Sequence, residues 1–117
     1  MKVLVVDDDY AVLDAMKDVL EDEGYEVCLA ANGLEALKEL RKNGICVILL
    51  DLMMPVMNGW EFRQQQLEDT DLARIPTVII TAHNRPVENA QQLGIKHFIS
   101  KPVKPELLIA AVGQYCR

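Results

Sequence analysis

The feature that most constrains the fold is an uninterrupted apolar run over residues 47–50, which is followed at once by a single carboxylate, Asp51. Such a run is typical of a strand buried on both faces, as in the middle of a parallel sheet. Pro55 and the pair Asn58-Gly59 come next and indicate an irregular loop. The pattern therefore predicts a central strand with Asp51 at its carboxyl end, the edge where open α/β sheets hold their functional groups.

The rest of the chain alternates short apolar strands with amphipathic helices. We expect further strands over residues 2–6, 25–30, 77–80 and 95–99, and helices over 10–23, 32–43, 58–67, 87–93 and 105–115. Five strand–helix units with short connections require right-handed crossovers. The predicted fold is therefore α/β and flavodoxin-like: a (βα)5 doubly wound, five-stranded parallel sheet of strand order 2-1-3-4-5, forming one domain over residues 1–117.

Charge and hydropathy narrow the functional classes. The net charge of −6 argues against a nucleic-acid-binding surface, which needs a basic stripe. No apolar run reaches the length of a membrane span, and the first residues are too acidic for a signal peptide. We therefore expect a cytoplasmic protein that binds neither nucleic acid nor membrane.

The chain has three cysteines, Cys28, Cys46 and Cys116. Their odd number and wide spacing do not indicate a disulfide framework or a metal site. Cys28 and Cys46 lie in apolar runs and are expected to be core thiols, while Cys116 falls at the frayed end of the last helix. We assign no chemistry to any of them.

Unusual residues follow four of the predicted strands: Asp7-Asp8-Asp9, Asp51, Thr81 and Lys101. In the expected strand order the first and third strands are neighbours, so Asp7, Asp8 and Asp51 should converge. Three carboxylates that close repel one another. A hard divalent cation such as Mg²⁺, which prefers oxygen ligands, would relieve this repulsion.

Lys101 and Thr81 should approach the same place from the other side. A lysine neutralises an anion as a point charge, and a threonine hydroxyl donates a hydrogen bond to it. Around Asp51 this set suits phosphoryl transfer to a carboxylate. Each residue also has a plainer interpretation: Asp9 as a helix cap, Lys101 as a solvated lysine, Thr81 as a turn residue. Their combination on four strand ends favours the functional interpretation.

Along essentially its whole length the sequence resembles the receiver domains of two-component response regulators. The matching segments are Val5-Val6-Asp7-Asp8, the stretch from Asp51 to Gly59, Thr81-Ala82 and Lys101-Pro102. The resemblance implies that Asp51 accepts a phosphoryl group. It further implies that Asp7, Asp8, Asp51 and the backbone carbonyl of Met53 hold Mg²⁺, for which Mn²⁺ can substitute.

The same resemblance implies which residues respond to phosphorylation and which partners are involved. Thr81 and Lys101 would contact the phosphoryl group, and Phe98 would be the switch aromatic that moves with Thr81. The Lys101-Pro102 bond is often cis in this family. A histidine kinase or a histidine phosphotransfer domain would be the donor. The surface of the fourth helix, fifth strand and fifth helix would meet targets or form a phosphorylation-dependent dimer.

By this interpretation the chain is a signalling switch that catalyses only its own phosphoryl transfer and dephosphorylation, and not an enzyme. It could be a stand-alone, chemotaxis-regulator-like shuttle or one domain of a longer protein. Three alternatives remain open. A haloacid-dehalogenase-like phosphatase would need a second acid where Met53 stands, and a flavin-binding module would need a phosphate-cradling loop where three aspartates stand. A receiver-like protein that only binds would not need the intact set of site residues.

Overall fold

The computed structural model describes residues 1–42, 44–52, 54, 56–81, 94–95 and 97–116, with Thr81 described by its backbone only. Five parallel strands, numbered in chain order, form one sheet in the order 2-1-3-4-5, which confirms the predicted flavodoxin-like fold. The predicted fourth helix, over residues 87–93, lies outside the described residues. The strands are β1 (Lys2–Val6), β2 (Glu26–Ala30), β3 (Ile45–Asp51), β4 (Thr77–Thr81) and β5 (His97–Ser100). The helices are α1 (Tyr10–Asp22), α2 (Gly33–Leu40), α3 (Gly59–Glu68) and the C-terminal helix (Pro105–Tyr115), with a 3₁₀ turn at Leu72–Arg74.

A separate hydrophobic core covers each face of the sheet. On one face α2 and α3 pack against side chains that include Leu4, Ile48 and Leu50. On the other face α1 and the C-terminal helix pack against side chains that include Val3 and Leu49. β3 is buried along its whole length, as its apolar run predicts for a central strand. Among the described residues, no helix combines the length and the apolar character that crossing a membrane requires.

The strand register fixes which residues meet at the carboxyl edge of the sheet. Val6 of β1 is paired with Leu50 of β3, so Asp7 and Asp51 leave neighbouring strands at the same level. Thr81 of β4 is paired with Ser100 of β5, so Lys101 follows just beyond that pair. The backbone ladder therefore brings the four predicted strand ends to one edge.

Short polar side chains begin three helices, and one of them is Asp9, whose plainer interpretation is that of a helix cap. The Asp9 carboxylate caps α1 by accepting from the Ala11 N–H at 2.9 Å. Asn32 caps α2 in the same way. Asn58 caps α3, where Glu61 completes a capping box by accepting from the Asn58 N–H. These caps satisfy backbone donors that the first helical turn leaves free.

The third helix differs from its sequence pattern because it buries polar side chains. Its aromatic residue Phe62 is fully buried, but Arg63 and Gln66 are buried as well. The Gln66 amide donates to the carbonyls of Leu72 and Ile75 at 2.9 and 3.2 Å. The polar segment 68–76 is thereby held against α3 and contains the 3₁₀ turn.

The expectation that no cysteine forms a disulfide is wrong for one pair. Cys46, near the start of β3, is bonded to Cys116, just after the C-terminal helix, whereas Cys28 is a free thiol. The two residues are 70 positions apart in sequence, but the fold brings their Cα atoms to 5.5 Å. That separation lies within the range a disulfide requires. Spacing in the sequence could not reveal a contact that depends on the tertiary fold.

Candidate functional site

Three aspartates gather at the carboxyl edge of the central strands. One carboxylate oxygen each from Asp7, Asp8 and Asp51 lies within 4.8 Å of the others. Asp7 and Asp51 are only 1% and 7% exposed, whereas Asp8 is exposed. The structure thus brings together the three acids that the sequence places at this edge, and it leaves one side of the cluster open to solvent.

Backbone contacts hold the two buried acids in position. Asp51 is the last residue of β3, so the sheet fixes its backbone. Asp7 follows β1 directly and extends the ladder by donating its N–H to the Ala30 carbonyl at 3.1 Å. Its carboxylate accepts from the Asp9 N–H at 2.9 Å. The cluster is therefore preorganised by the sheet and by the turn into α1.

Lys101 bridges the two buried carboxylates. Its Nζ lies 3.0 Å from Asp7 Oδ2 and 3.5 Å from Asp51 Oδ2, while its side chain is 30% exposed. Burial alone lowers the pKa of the Lys101 ammonium, but the hydrogen bond that the ammonium donates to Asp7 and the negative charges of Asp51 and Asp7 outweigh this effect, so the pKa is raised overall. The ammonium is therefore charged at neutral pH and neutralises part of the cluster.

The remaining predicted residues are placed less completely. Thr81 ends β4 on the expected level, but its side chain lies outside the described residues. Phe98 lies in β5, is half-buried, and packs against the core between the sheet and helices α2 and α3. Met53, whose carbonyl is the predicted fourth ligand, also lies outside the described residues. The Lys101-Pro102 bond is cis, as the family resemblance implies.

The loop after Asp51 contains two backbone features that lie outside the predicted set of site residues. The Gly59 N–H donates to the Leu52 carbonyl at 2.9 Å, and a Cβ on Gly59 would lie 2.8 Å from the Asp51 carbonyl oxygen. Only glycine permits α3 to begin this close to the candidate site. Val56 adopts φ +67° and is 77% exposed, a conformation that strains a β-branched residue. The Asn-Gly pair signalled the first feature, and nothing in the sequence signalled the second.

The acid cluster fits a hard divalent cation. Mg²⁺ binds oxygen ligands at about 2.1 Å in an octahedron, so its ligand atoms lie up to about 4.2 Å apart. The three carboxylate oxygens, already within 4.8 Å of one another, need only small movements to reach such positions. The exposed side at Asp8 leaves room for water or phosphate oxygens as further ligands.

Comparison with known proteins decides the family. The model of the response regulator receiver domain matches residues 3–113 of this chain. The chain belongs to the response regulator receiver domain family. The predicted family membership is thereby confirmed.

This receiver domain is similar to proteins of different lengths. It is 36% identical to response regulator Rre1 of Synechocystis sp. over 96% of its own length, but it spans only 50% of Rre1. It is 31% identical to the polar-differentiation response regulator DivK of Brucella anthropi, covering 97% of this chain and 94% of DivK. A solved structure of the Vibrio cholerae chemotaxis protein CheY4 matches with a TM-score of 0.88 and 33% identity over 97% of each chain. The fold is therefore shared with receiver domains that stand alone and with those that are part of longer regulators.

Proposed function

We propose that residues 1–117 act as one receiver domain that accepts a phosphoryl group on Asp51 from a phosphohistidine. The donor would be a histidine kinase or a histidine phosphotransfer domain. The observation that carries this proposal is that Asp51, at the open edge of the sheet, has the Lys101 ammonium 3.5 Å away and two further carboxylates beside it. Together these groups can position a phosphoryl group and balance its charge.

In the proposed reaction a carboxylate oxygen of Asp51 attacks phosphorus. The phosphorus–nitrogen bond to the donor histidine breaks, a phosphorus–oxygen bond forms, and the imidazole leaves and takes up a proton. Lys101 stays within reach of the new phosphoryl oxygens because it already pairs with Asp51 Oδ2. Water later cleaves the acyl phosphate, which returns the carboxylate and releases inorganic phosphate.

We further propose that the reaction depends on Mg²⁺, with Mn²⁺ as a substitute. Asp7, Asp8 and Asp51 would hold the ion, joined by the carbonyl of Met53. When bound, it supplies positive charge that offsets the charge of the phosphoryl oxygens. Asp7, fixed by its contacts to Ala30 and Asp9, would help to hold the ion beside Asp51.

The output of the switch would be a change in surface. We propose that Thr81 moves toward the phosphoryl oxygens and that Phe98, in the neighbouring strand, changes its burial with it. β5 and the C-terminal helix would then present an altered face to a target or to a second copy. Leu107 of that helix is an exposed apolar residue on which such a contact could form.

An apolar groove beside the site supports docking of the phosphodonor domain. α1 contributes Val12 and Val19, the segment after β5 contributes Pro102 and Val103, and Lys101 lines the same groove. A domain that brings a phosphohistidine to Asp51 must cover adjacent surface, and this groove of about 260 Å³ adjoins the Lys101–Asp51 pair. We therefore propose that the donor domain packs an apolar surface here.

The decisive experiment is incubation with acetyl phosphate and Mg²⁺ followed by intact mass measurement. The wild type should gain the mass of one phosphoryl group, whereas Asp51→Asn should not. A gain that persists in Asp51→Asn would refute the assignment of the acceptor. No gain in the wild type would favour a domain that signals by binding alone.

The docking groove is tested by comparing two phosphodonors. Val12→Lys should slow phosphorylation by a phosphotransfer domain that phosphorylates the wild type, but should leave phosphorylation by acetyl phosphate unchanged. Leu34→Lys, at an exposed apolar position on α2, is the matched control and should change neither rate. Equal rates for all three proteins would remove the groove from the proposal.

A further inference from the structure

The Cys46–Cys116 pair links two elements at the edge of the sheet opposite the acid cluster. Cys46 lies near the amino end of β3, five positions before Asp51, which corresponds to about 16 Å along a strand. Cys116 follows the C-terminal helix, and the two residues are 4% and 3% exposed. The bond therefore ties the end of that helix to the central strand without touching the candidate phosphoacceptor.

The fold can hold the same two residues together when they are reduced. Both belong to the core that packs α1 and the C-terminal helix against the sheet. Cys46 Sγ also lies 3.3 Å from the Lys2 carbonyl oxygen, which can accept a hydrogen bond from the reduced thiol. Because packing already sets the approach of the two cysteines, forming or breaking the bond demands little backbone movement.

The third cysteine is separated from the pair by the sheet. Cys28 lies in β2 opposite Leu4, and both side chains pack on the face covered by α2 and α3. Burial, followed by the negative charge of Glu39, raises the pKa of the Cys28 thiol and keeps it protonated near neutral pH. Cys28 is therefore a poor competitor for either sulfur of the pair and serves as an internal reference thiol.

The two sulfurs differ in how they can be reached. Cys46 is buried within the central strand β3, at the register shift of the β1–β3 ladder and two positions before the pairing with β4 begins. Cys116 follows the last residue of the C-terminal helix, and its N–H donates a helix-type bond to the Val112 carbonyl at 2.8 Å. Opening the last turn of a helix costs far less than opening a central strand. An external thiol can thus reach Cys116 Sγ through local opening.

We propose that Cys46 and Cys116 form a reversible redox site that fastens and releases the end of the C-terminal helix. In reduction, a low-molecular-weight thiolate attacks Cys116 Sγ, the sulfur–sulfur bond breaks, and Cys46 leaves as a thiolate and takes up a proton. A second thiol then displaces Cys116 from the mixed disulfide. The sum is one protein disulfide and two thiols converted to two protein thiols and one small disulfide, and glutathione disulfide drives the reverse reaction.

The redox state should control local unfolding of the C-terminal helix. A cross-link between distant positions removes open conformations from the chain. In the oxidised protein the bond tethers Cys116 to β3 and limits opening of the last turn to fraying around that tether, so the backbone amides of this turn should exchange with solvent at least about tenfold more slowly than in the reduced protein. This effect does not depend on the phosphoacceptor role of Asp51.

The experiment equilibrates the whole chain with glutathione disulfide or with dithiothreitol, then alkylates it in urea and measures intact mass. We expect one free thiol after oxidation and three after reduction. Cys28→Ser should show none and two. Cys116→Ser should form no internal disulfide. Hydrogen exchange over residues 105–115 should separate the oxidised and reduced wild type, but not the two treatments of Cys116→Ser.

Single-cysteine variants test which of the two sulfurs is attacked from outside. With glutathione disulfide, Cys46→Ala should form a mixed disulfide at Cys116, whereas Cys116→Ser should form little at Cys46 while it stays folded by circular dichroism. The proposal is overturned if three thiols persist after oxidation or if Cys28 enters the bond. Equal exchange of the helix in both redox states would overturn it as well.

Discussion

The Lys101 ammonium pairs with the Asp7 carboxylate at 3.0 Å, which joins residues that lie 94 positions apart in sequence. Asp7 is almost fully buried, so water cannot easily replace the ammonium as its partner. The same Nζ lies 3.5 Å from Asp51. One cation therefore bridges the ends of β1 and β3 from a position just beyond β5.

Removal of this cation should weaken both folding and the proposed chemistry. In metal-free buffer Lys101→Ala should lower the free energy of unfolding by about 1–3 kcal/mol, because the buried Asp7 carboxylate loses a charged partner. Phosphorylation by acetyl phosphate should slow at least about tenfold. Urea titration and time-resolved mass spectrometry measure the two effects. Lys104→Ala, an exposed lysine on the same segment, should change neither.

Metal binding should depend on Asp8 but not on its neighbour Asp9. Saturating MgCl₂ should raise the thermal unfolding midpoint of the wild type, since the ion binds only the folded cluster. Asp8→Asn should abolish most of this rise. Asp9→Asn removes an equal charge while keeping a good helix cap, and should retain the rise. An equal rise of the midpoint in both variants would show that the stabilisation by MgCl₂ depends on net charge rather than on the three-aspartate cluster.

Replacement of two glycines by alanine should change the stability of the protein in opposite directions. A Cβ at position 59 would lie 2.7 Å from Leu52 Cα, so Gly59→Ala should force the backbone beside Asp51 to shift and destabilise the fold by about 1–3 kcal/mol. At position 113 the nearest atom would be 3.5 Å away, inside a helix, so Gly113→Ala should stabilise by about 0.5–1 kcal/mol. Chemical denaturation of both variants checks the contrast.

Relief of the strained residue in the loop should stabilise the protein. Val56 holds φ +67°, which costs an ordinary residue about 1–2 kcal/mol. Val56→Gly removes that cost but raises the conformational entropy of the unfolded chain. We therefore expect the free energy of unfolding to rise by about 0.5–1 kcal/mol. Val56→Ala keeps a Cβ and should give a much smaller gain. Equal stability of all three proteins would mean that the loop stores no strain.

The raised pKa of Cys28 should appear in its alkylation profile. Because the folded state holds the thiol proton more tightly, the midpoint of iodoacetamide reactivity should lie at higher pH than in urea. By linkage, this contribution to stability is present below the unfolded pKa and is lost as the pH rises through the folded pKa. In the oxidised protein only Cys28 is free to react, so the alkylation rate reports on this thiol alone. A midpoint equal to that in urea would contradict the expectation.

The parts of the fold that local pattern encodes were predictable from the sequence. The apolar run before Asp51 and the acids after β1 define strand ends, and parallel pairing then brings them to one edge. The cap at Asp9 also follows from local hydrogen bonding. These features depend on neighbours in sequence or on the general geometry of parallel sheets.

What the sequence could not predict depends on particular long-range contacts. Gln66 is buried because it meets carbonyls of the following turn, which reverses the usual association of polar residues with solvent. Cys46 and Cys116 are paired because the C-terminal helix ends beside the start of β3. The left-handed conformation of Val56 was not predictable either, because a β-branched residue rarely adopts a positive φ.

The buried amide of Gln66 has a consequence for how α3 can sit on the sheet. Its Nε2 must meet two carbonyl oxygens at once, those of Leu72 and Ile75, and its Oε1 accepts from Arg63 at 2.9 Å. Apolar side chains would tolerate a small roll or slide of the helix, whereas these directional bonds admit a single seating. A helix held in this way keeps its first residue, Gly59, at a fixed distance from the carboxyl end of β3, where the Gly59 N–H donates to the Leu52 carbonyl directly after Asp51.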